Sequence, residues 1–279
     1  RQSRAPRVLS FIAGTNILTL LATRGLPVRV VISERNDPAR QQIGGPWEAL
    51  RRRCYRWAEI VTANSAGAIA ALRSYVPAAR LALIPNGVES RDPSHQEHRG
   101  RVFLAVGRLS HQKGFDVLLE AFAKARVRCA GWQLTIVGDG EEGGNLRMLA
   151  AKLGVDPLVT WAGLVAEPDA YYRDASVFVL SSRHEGMPNA LLEAMAASLP
   201  VIVTDALSEA AELVMRPGSG IVVRADDPVA LAEAMCELAG NSQSRARMGA
   251  AAAAATSDRS VSSVLARWND VLGLEVRPR

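Results

Sequence analysis

Residues 176–195 read SVFVLSSRHEGMPNALLEAM, and this stretch decides the fold. The apolar run at 176–180 has no alternation, which is typical of a strand buried on both faces of a parallel sheet. A polar loop follows, and Pro188, a residue suited to the first helical position, opens a helix predicted over 188–198. A strand that leads through a short loop into a helix is the repeating unit of an α/β fold.

The same succession of strand and helix recurs on both sides of this stretch. Because the strands are continuous apolar runs, we expect parallel sheets covered by helices on both faces. The predicted fold class is therefore α/β, with two Rossmann-like doubly wound domains. The predicted strands are 8–12, 28–33, 60–63, 81–84, 101–106, 133–137, 158–162, 176–180, 200–203 and 220–223. The predicted helices are 15–24, 46–58, 65–75, 115–127, 143–153, 188–198, 207–214, 228–239, 248–255 and 259–272.

A polar segment, RDPSHQEHRG at 91–100, separates the two halves of this pattern. It contains Pro and Gly and few apolar residues, so we interpret it as the linker. The predicted domains are an N-terminal one over 1–90 and a C-terminal one over 101–258. We expect a last helix within 259–279 to pack back toward the N-terminal domain.

The composition is that of a globular protein, with 279 residues, of which 48% are hydrophobic and 22% charged. These values exclude disordered and collagen-like chains. No apolar run approaches the ~20 residues that cross a bilayer. The three cysteines are far apart in the sequence, which implies no disulfide framework and indicates a reducing, cytoplasmic location.

The charge is divided unevenly along the chain. Residues 1–101 contain 16 Arg, no Lys and 7 acidic residues, a net charge of +9. The remainder has 17 basic and 21 acidic residues, a net charge of −4. A basic half indicates an anionic partner: nucleic acid, a phosphorylated substrate or an anionic membrane surface. The alternative is an arginine-rich face that is simply solvated.

The predicted helix 46–58 carries part of this charge beside aromatic residues. Basic residues with interfacial aromatic rings are typical of a surface that lies on anionic lipid. We therefore expect peripheral attachment at the inner face of the cytoplasmic membrane. An ordinary amphipathic helix with a partly aromatic core face is the alternative. The residues concerned are Arg51, Arg52, Arg53, Arg56, Trp47, Tyr55 and Trp57.

The loop GRLSHQKG at 107–114 follows the predicted strand 101–106 and precedes a helix. Glycines permit close approach of a ligand to the backbone, and the N-terminus of a helix is electropositive. Arg108 offers a planar fork and Lys113 a point charge, a pair suited to a diphosphate. Lys113 is one of three lysines in the chain, which favours a function over an ordinary solvated loop.

The loop of the opening stretch carries a second candidate site. Backbone N–H groups within 186–190, to which Pro188 contributes none, are expected to face the strand-end crevice, where an anion binds. Glu185 and Glu193 flank them in a Glu-x7-Glu pattern and are suited to accept hydrogen bonds from sugar hydroxyls. The alternative for Glu193 is a surface charge on the helix. The Gly-Asp-Gly turn at 138–140 is by itself more typical of a tight connection.

Taken in order, the motifs IPNGVE, GRLSHQKGF, VGDGEE and HEGMPNALLEAM resemble those of the glycosyltransferase family 4 enzymes. The resemblance covers nearly the whole chain. It implies the GT-B architecture of two Rossmann-like domains and a transferase that retains the configuration of the sugar. It also implies no metal and no cofactor, the donor being a nucleotide sugar that is expected to be UDP-linked. His95 and His98 in the linker are interpreted as solvated rather than metal-binding.

The resemblance also implies roles for individual residues. Arg108 and Lys113 would neutralise the nucleotide diphosphate, and Glu193 would contact the ribose. Glu185, with the backbone of 186–189, would contact the transferred sugar, and the loop at 163–165 the base. Arg108, Lys113 and Glu185 are the implied catalytic residues. The implied donor-binding residues are Gly107, Arg108, Lys113, Gly138, Gly163, Leu164, Gly186, Met187, Pro188, Asn189, Ala190 and Glu193.

The chain departs from the family pattern at two places. The Gly-rich loop expected at the start of the N-terminal domain is absent, so we interpret that domain as incomplete. A His common after the second strand is replaced by Glu34-Arg35, a pattern similar to that of a bacterial polysaccharide-assembly branch.

Three functions compete. The first is a hexosyltransferase that builds a lipid-linked or cell-surface glycan, with no nucleic acid as partner. The second is a donor-binding module that does not transfer the sugar. The third, a nucleotide-sugar epimerase of the same architecture, is disfavoured by the combination of GRLSHQKGF with Glu-x7-Glu.

Overall fold

The structure is a computed structural model that describes residues 7–36, 38–39, 41, 43–89, 99–184, 187–206 and 208–274. The chain divides into two compact units. The N-terminal unit combines residues 1–87 with 261–279, and the C-terminal unit contains residues 88–260. Most of the predicted linker lies outside the described residues, and the predicted domain limits stay predictions.

The N-terminal unit contains a four-stranded parallel sheet whose strands follow the chain order β1-β2-β3-β4. Each strand pairs with the next, for example Leu9 with Val31 and Ile32 with Val61. The helix at the end of the chain belongs to this unit, and the ring of Trp268 lies 5.8 Å from that of Phe11. The elements are β1 (Arg7–Phe11), α1 (Ala13–Ala22), β2 (Arg29–Glu34), α2 (Gly45–Cys54), β3 (Ile60–Ala63), α3 (Ala66–Leu72), β4 (Leu81–Leu83) and α11 (Val261–Leu272).

The C-terminal unit contains a six-stranded parallel sheet in the order β10-β9-β8-β5-β6-β7. The chain proceeds from β5 to β7 in one direction and then returns to the other side of β5 for β8, so this unit is doubly wound. Its strands are β5 (Val102–Val106), β6 (Gln133–Val137), β7 (Val159–Gly163), β8 (Val177–Leu180), β9 (Val201–Thr204) and β10 (Gly220–Val223). Its helices are α4 (Phe115–Ala125), α5 (Gly143–Lys152), α6 (Asp169–Asp174), α7 (Asn189–Ala196), α8 (Ser208–Met215), α9 (Pro228–Gly240) and α10 (Ser242–Ala255).

Both faces of this sheet are buried, as the uninterrupted apolar strands predict. Successive side chains of a strand point to opposite faces. Phe103 and Ala105 accordingly pack in the cluster formed with α4, α5 and α9, whereas Leu104 packs in the cluster formed with α7, α8 and α10. The prediction of an α/β fold with parallel sheets covered by helices is confirmed.

Several predicted boundaries need correction. The helix predicted over 46–58 ends at Cys54, and a separate 3₁₀ turn occupies Tyr55–Trp57. The alanine-rich helix begins at Ser242 rather than at 248, because the Asn241 side chain accepts a hydrogen bond from the Ser244 N–H and caps it. The short helix α6 was missed because six residues are too few for a periodic apolar pattern.

The membrane interpretation of the 46–58 segment needs a correction at two residues. Arg51 and Tyr55 are buried inside the N-terminal unit, with 1% and 0% of their surface exposed. Arg51 pairs with Glu48 and donates a hydrogen bond to the Pro38 carbonyl, 3.0 Å away. These two side chains therefore hold the unit together and cannot meet a lipid surface. Among the described residues, no helix is both long enough and apolar enough to cross a bilayer.

Candidate active site

The switch point of the C-terminal sheet lies between its neighbouring strands β5 and β8. Ligands of open α/β sheets bind at the carboxyl ends of the strands where the strand order reverses. The loop at 107–114 follows β5, and the loop at 181–188 follows β8. The two predicted site loops therefore begin at the carboxyl ends of neighbouring strands, on either side of the switch point.

The loop after β5 holds Lys113 close to the strand end. The Lys113 side chain is half-buried and lies across Gly107, where a Cβ would come within 3.1 Å of the lysine Cε and 3.4 Å of its Nζ. Because Gly107 has no side chain, the lysine side chain can occupy this space. Arg108, in contrast, has an exposed side chain. One cation of the predicted pair is held in place and the other reaches into solvent.

Three predicted glycines lie in a row across the ends of β5, β6 and β7. The Gly107 N–H donates to the Val137 carbonyl at 2.9 Å, and the Gly138 N–H donates to the Gly163 carbonyl at 2.8 Å. Gly138 has a φ of +138°, which an L side chain rarely adopts. Leu164 follows this row with 86% of its side chain exposed, so its apolar surface is accessible to a flat ligand.

The loop after β8 is described only in part, since the predicted residues Glu185 and Gly186 lie outside the described residues. Pro188 is the residue before the first helical position rather than that position itself, because its ψ of 127° is extended. Met187 packs its side chain against Val88 and Leu192 and is 8% exposed. The neighbouring Asn189 is exposed and Ala190 half-buried at the start of α7.

Glu193 is held by a residue that sequence reasoning missed. The Tyr172 hydroxyl donates to the Glu193 Oε2 at 2.8 Å. Tyr172 is fully buried beside Phe178, with ring centroids 6.1 Å apart, so its hydroxyl is fixed by the core. Glu193 is half-buried. The carboxylate therefore has a set position instead of being a free surface charge on α7.

Arg183 also escaped the sequence reasoning, although it lies within the quoted stretch. Its guanidinium pairs with Asp116 at the start of α4 and with Asp226 before α9. Partial burial opposes ionisation of Asp116, but the hydrogen bonds and charge of Arg183 hold the pKa of that carboxyl below its usual range. No local signal links these residues, because 67 positions separate Arg183 from Asp116.

Among the described residues, no group of three or more His, Cys, Asp and Glu side chains is arranged to hold a metal ion. The predicted pair His95 and His98 lies outside the described residues.

The Glu34-Arg35 pair lies at the end of β2 in the N-terminal unit. Glu34 is fully buried and accepts a hydrogen bond from the Tyr55 hydroxyl, which also accepts one from the Asn16 amide at 3.4 Å. Burial raises the pKa of Glu34. Arg35 is half-buried, with its guanidinium 5.6 Å from the centre of the Phe11 ring. Glu34 is thus enclosed by its own unit, and Arg35 is partly enclosed, since its Nη1 is buried.

The sequence profile of one family, described as glycosyl transferases group 1, matches residues 100–241. The chain belongs to this family. The matched range contains all the predicted donor-binding residues, from Gly107 to Glu193.

Relatives within the family include enzymes of polysaccharide assembly. The chain is 32% identical over 187 residues to the amylovoran biosynthesis glycosyltransferase AmsD of Erwinia amylovora, covering 67% of this chain and 52% of that protein. It is 36% identical over 148 residues to the lipopolysaccharide core biosynthesis glycosyltransferase LpsE of Rhizobium meliloti, covering 53% and 42%. The chain therefore spans about half the length of these curated relatives.

Solved structures of the same fold include HepE from Anabaena in complex with UDP. The TM-score is 0.84 at 19% identity, over 95% of this chain and 78% of that one. At this identity the likeness concerns the fold alone. The family membership and this likeness establish the predicted GT-B type of α/β fold.

Proposed function

We propose that this group 1 family member transfers a hexose from a UDP-linked sugar to a lipid-linked or cell-surface glycan, with retention of configuration. The observation that carries the proposal is that Lys113 and the glycine row follow the strands on one side of the switch point of the C-terminal sheet, while the neighbouring strand β8 leads to α7 with its anchored Glu193. AmsD and LpsE, by their names, act in polysaccharide and lipopolysaccharide assembly. A relative from Campylobacter jejuni has a name that specifies an undecaprenol-linked acceptor.

In this proposal the donor diphosphate binds to Lys113 and Arg108. When the bond between the sugar and the diphosphate breaks, negative charge grows on the leaving phosphate, and the two cations stabilise it. This is the part that a metal ion plays in other transferases, so we propose a metal-independent reaction. Glu193 accepts hydrogen bonds from the ribose hydroxyls, and Leu164 lies against the base. Glu185, with the backbone of 186–189, contacts the transferred sugar.

The experiment that tests the proposal is a panel of nucleotide sugars measured for thermal stabilisation of the protein. A donor at 100 times its dissociation constant adds ~2.7 kcal/mol to the free energy of unfolding. We expect a UDP-sugar to raise the melting temperature and EDTA to leave that shift unchanged. Stabilisation by no nucleotide sugar would overturn the donor assignment, and a shift abolished by EDTA would overturn metal independence.

A donor-binding module without transfer is the second candidate, since the residues of the proposed donor site all lie in the C-terminal unit. The two candidates are distinguished by adding an undecaprenol diphosphate-linked saccharide as acceptor and measuring both the release of UDP from the donor and the transfer of sugar to the acceptor. Sugar transfer to that acceptor supports the transferase. Binding without any transfer, in the complete protein, supports the module.

Tyr172→Phe is expected to weaken UDP and UDP-sugar to the same extent, about three- to tenfold, because the hydroxyl that positions Glu193 is lost. Glu193→Gln should have a larger effect, since the carboxylate itself is lost. It should weaken both ligands, since the ribose is common to both. Calorimetric titration measures both, and Tyr171→Phe, at the half-buried neighbouring tyrosine, is the control.

Glu185→Gln should instead leave the affinity for UDP unchanged and weaken the binding of the sugar donor. An unchanged UDP affinity in both Tyr172→Phe and Glu193→Gln would contradict the ribose assignment.

Membrane attachment is part of the proposal in a reduced form, because three arginines of the original set remain exposed: Arg52, Arg53 and Arg56. At ~1 kcal/mol for each basic residue near an anionic surface, replacing all three by Gln should weaken binding to anionic vesicles about a hundredfold. Vesicle sedimentation measures this, with neutral vesicles for comparison. The matched control replaces three exposed arginines of the C-terminal unit, Arg128, Arg216 and Arg247. Equal binding to anionic and neutral vesicles would contradict attachment.

A further inference from the structure

Arg183 connects three segments of the C-terminal unit that are distant in sequence. Its Nη1 and Nη2 donate to the two carboxylate oxygens of Asp116 at 2.9 and 2.8 Å, a bidentate pair. Its Nε donates to the Asp226 Oδ1 at 2.7 Å. Only 16% of the Arg183 side chain is exposed. The loop after β8 is thereby fastened to the start of α4 and to the turn before α9.

The same loop holds the 3₁₀ turn that ends at Lys113. This turn consists of residues 111–113, and each of its three carbonyls accepts a hydrogen bond from the loop after β8. The His111 carbonyl accepts from the Arg183 Nη1 at 2.7 Å, and the Gln112 carbonyl accepts from the Arg183 N–H at 2.8 Å. The Lys113 carbonyl accepts from the Ser181 hydroxyl at 2.9 Å. A fourth bond runs the other way, from the Gln112 Nε2 to the His184 carbonyl at 2.8 Å. Of these four bonds, the Arg183 guanidinium makes the one that also ties the turn to Asp116 and Asp226.

The backbone next to Lys113 lies close against the backbone of the loop after β8. Gly114 follows it with a φ of +63°, and a Cβ there would lie 3.1 Å from the Ser181 carbonyl carbon and nearer still to its oxygen. The two loops are thus in direct backbone contact beside Lys113. A shift of the 111–113 turn would carry the lysine away from Gly107, over which its side chain now lies.

We propose that Arg183 is a positioning residue for the donor diphosphate, acting through the 111–113 turn to set the place of Lys113. The proposal rests on the proposed function, in which Lys113 binds the diphosphate. Arg183 meets two carboxylates, Asp116 and Asp226, so its own charge is already balanced and it does not bind the donor itself. Lysine is a poor replacement, because its single ammonium cannot match the planar fork that pairs with Asp116.

A double-mutant cycle tests this assignment. The dissociation constants of UDP and UMP are measured by calorimetry for the wild type, Arg183→Gln, Lys113→Ala and the double variant. We expect Arg183→Gln to weaken UDP about tenfold and UMP much less. The double variant should bind UDP about as weakly as Lys113→Ala alone, because Arg183 acts only through that lysine. Arg183→Lys should recover part of the loss.

A control variant separates positioning from a general loss of stability. Arg245 is also half-buried and donates to the carbonyls of Leu238 and Ala239, at the opposite end of α9 from Asp226. We expect Arg245→Gln to lower the melting temperature without changing the ratio of UDP to UMP affinity. The inference is overturned if Arg183→Gln weakens both nucleotides equally, or if its effect adds fully to that of Lys113→Ala. A wild type that binds neither UDP nor any other nucleoside diphosphate overturns the proposed function, and this inference with it.

Discussion

Lys113→Ala is expected to weaken UDP binding by roughly ten- to a hundredfold, because a hydrogen bond to a charged group contributes ~1.5–3 kcal/mol. The loss should be smaller for UMP, which lacks the second phosphate. Arg108→Ala should show the same preference, with a smaller effect, since its side chain is exposed and water competes for the phosphate. Calorimetric titration of each variant with the two nucleotides measures the difference.

The chain offers matched controls for this prediction. Its two other lysines, Lys124 and Lys152, are exposed near the ends of α4 and α5. Each helix ends where the chain returns to the amino end of the next strand, away from the loops at the carboxyl ends. Lys124→Ala and Lys152→Ala remove the same charge and should leave both affinities unchanged. If Lys113→Ala weakened UMP as much as UDP, the lysine would not be the diphosphate ligand.

Gly138→Ala is expected to destabilise the C-terminal unit by about 3 kcal/mol or more. A Cβ at this position would lie 2.8 Å from the Gly107 carbonyl carbon and nearer still to its oxygen, and the φ of +138° is unfavourable for any L side chain. Because both obstacles are backbone, no rotamer change relieves them. Gly107 would have to move, and donor binding should weaken as well. Thermal unfolding should show a fall of the melting temperature by about 6–12 °C.

Gly144→Ala is the control for the glycine prediction. Gly144 lies within α5, and a Cβ there would have no neighbour within 4 Å. Alanine has the higher helix propensity, so this variant should be stabilised by up to ~1 kcal/mol. A Gly138→Ala protein as stable as the wild type would show that the loops after β5 and β6 are not packed as described.

The alternation of strands and helices is readable in the sequence, and so are the loops that carry the candidate site. β3, β6 and β10 begin and end where the apolar runs predict. Gly107, Gly138 and Gly163 lie at the ends of β5, β6 and β7, where the Gly107 N–H donates to Val137 and the Gly138 N–H to Gly163; their part in donor binding stays a prediction. The strand limits that agree have a local cause, since an apolar run and the turn residues that end it are neighbours in the chain.

The burial of Arg51 and Tyr55 shows where the local pattern fails. The 46–58 segment has the charge and aromatic content of a lipid-facing surface, yet Arg51 lies inside, beside Glu48 and the Pro38 carbonyl. Periodicity indicates which side of a helix is apolar. It does not indicate that a cation will be buried beside a half-buried carboxylate and a carbonyl, which offset part of the cost of removing it from water.

By itself, then, the sequence determined the α/β class, the order of the elements, the loop that bears Lys113 and the loop that leads into the helix of Glu193. Only the tertiary structure decided that β8 returns beside β5, which brings those two loops together. It also decided that Tyr172 anchors Glu193 and that Arg183 joins Asp116 to the 111–113 turn. Such contacts depend on strand order, and strand order follows from how whole helices and strands bury their apolar faces against one another, which no short stretch of sequence encodes.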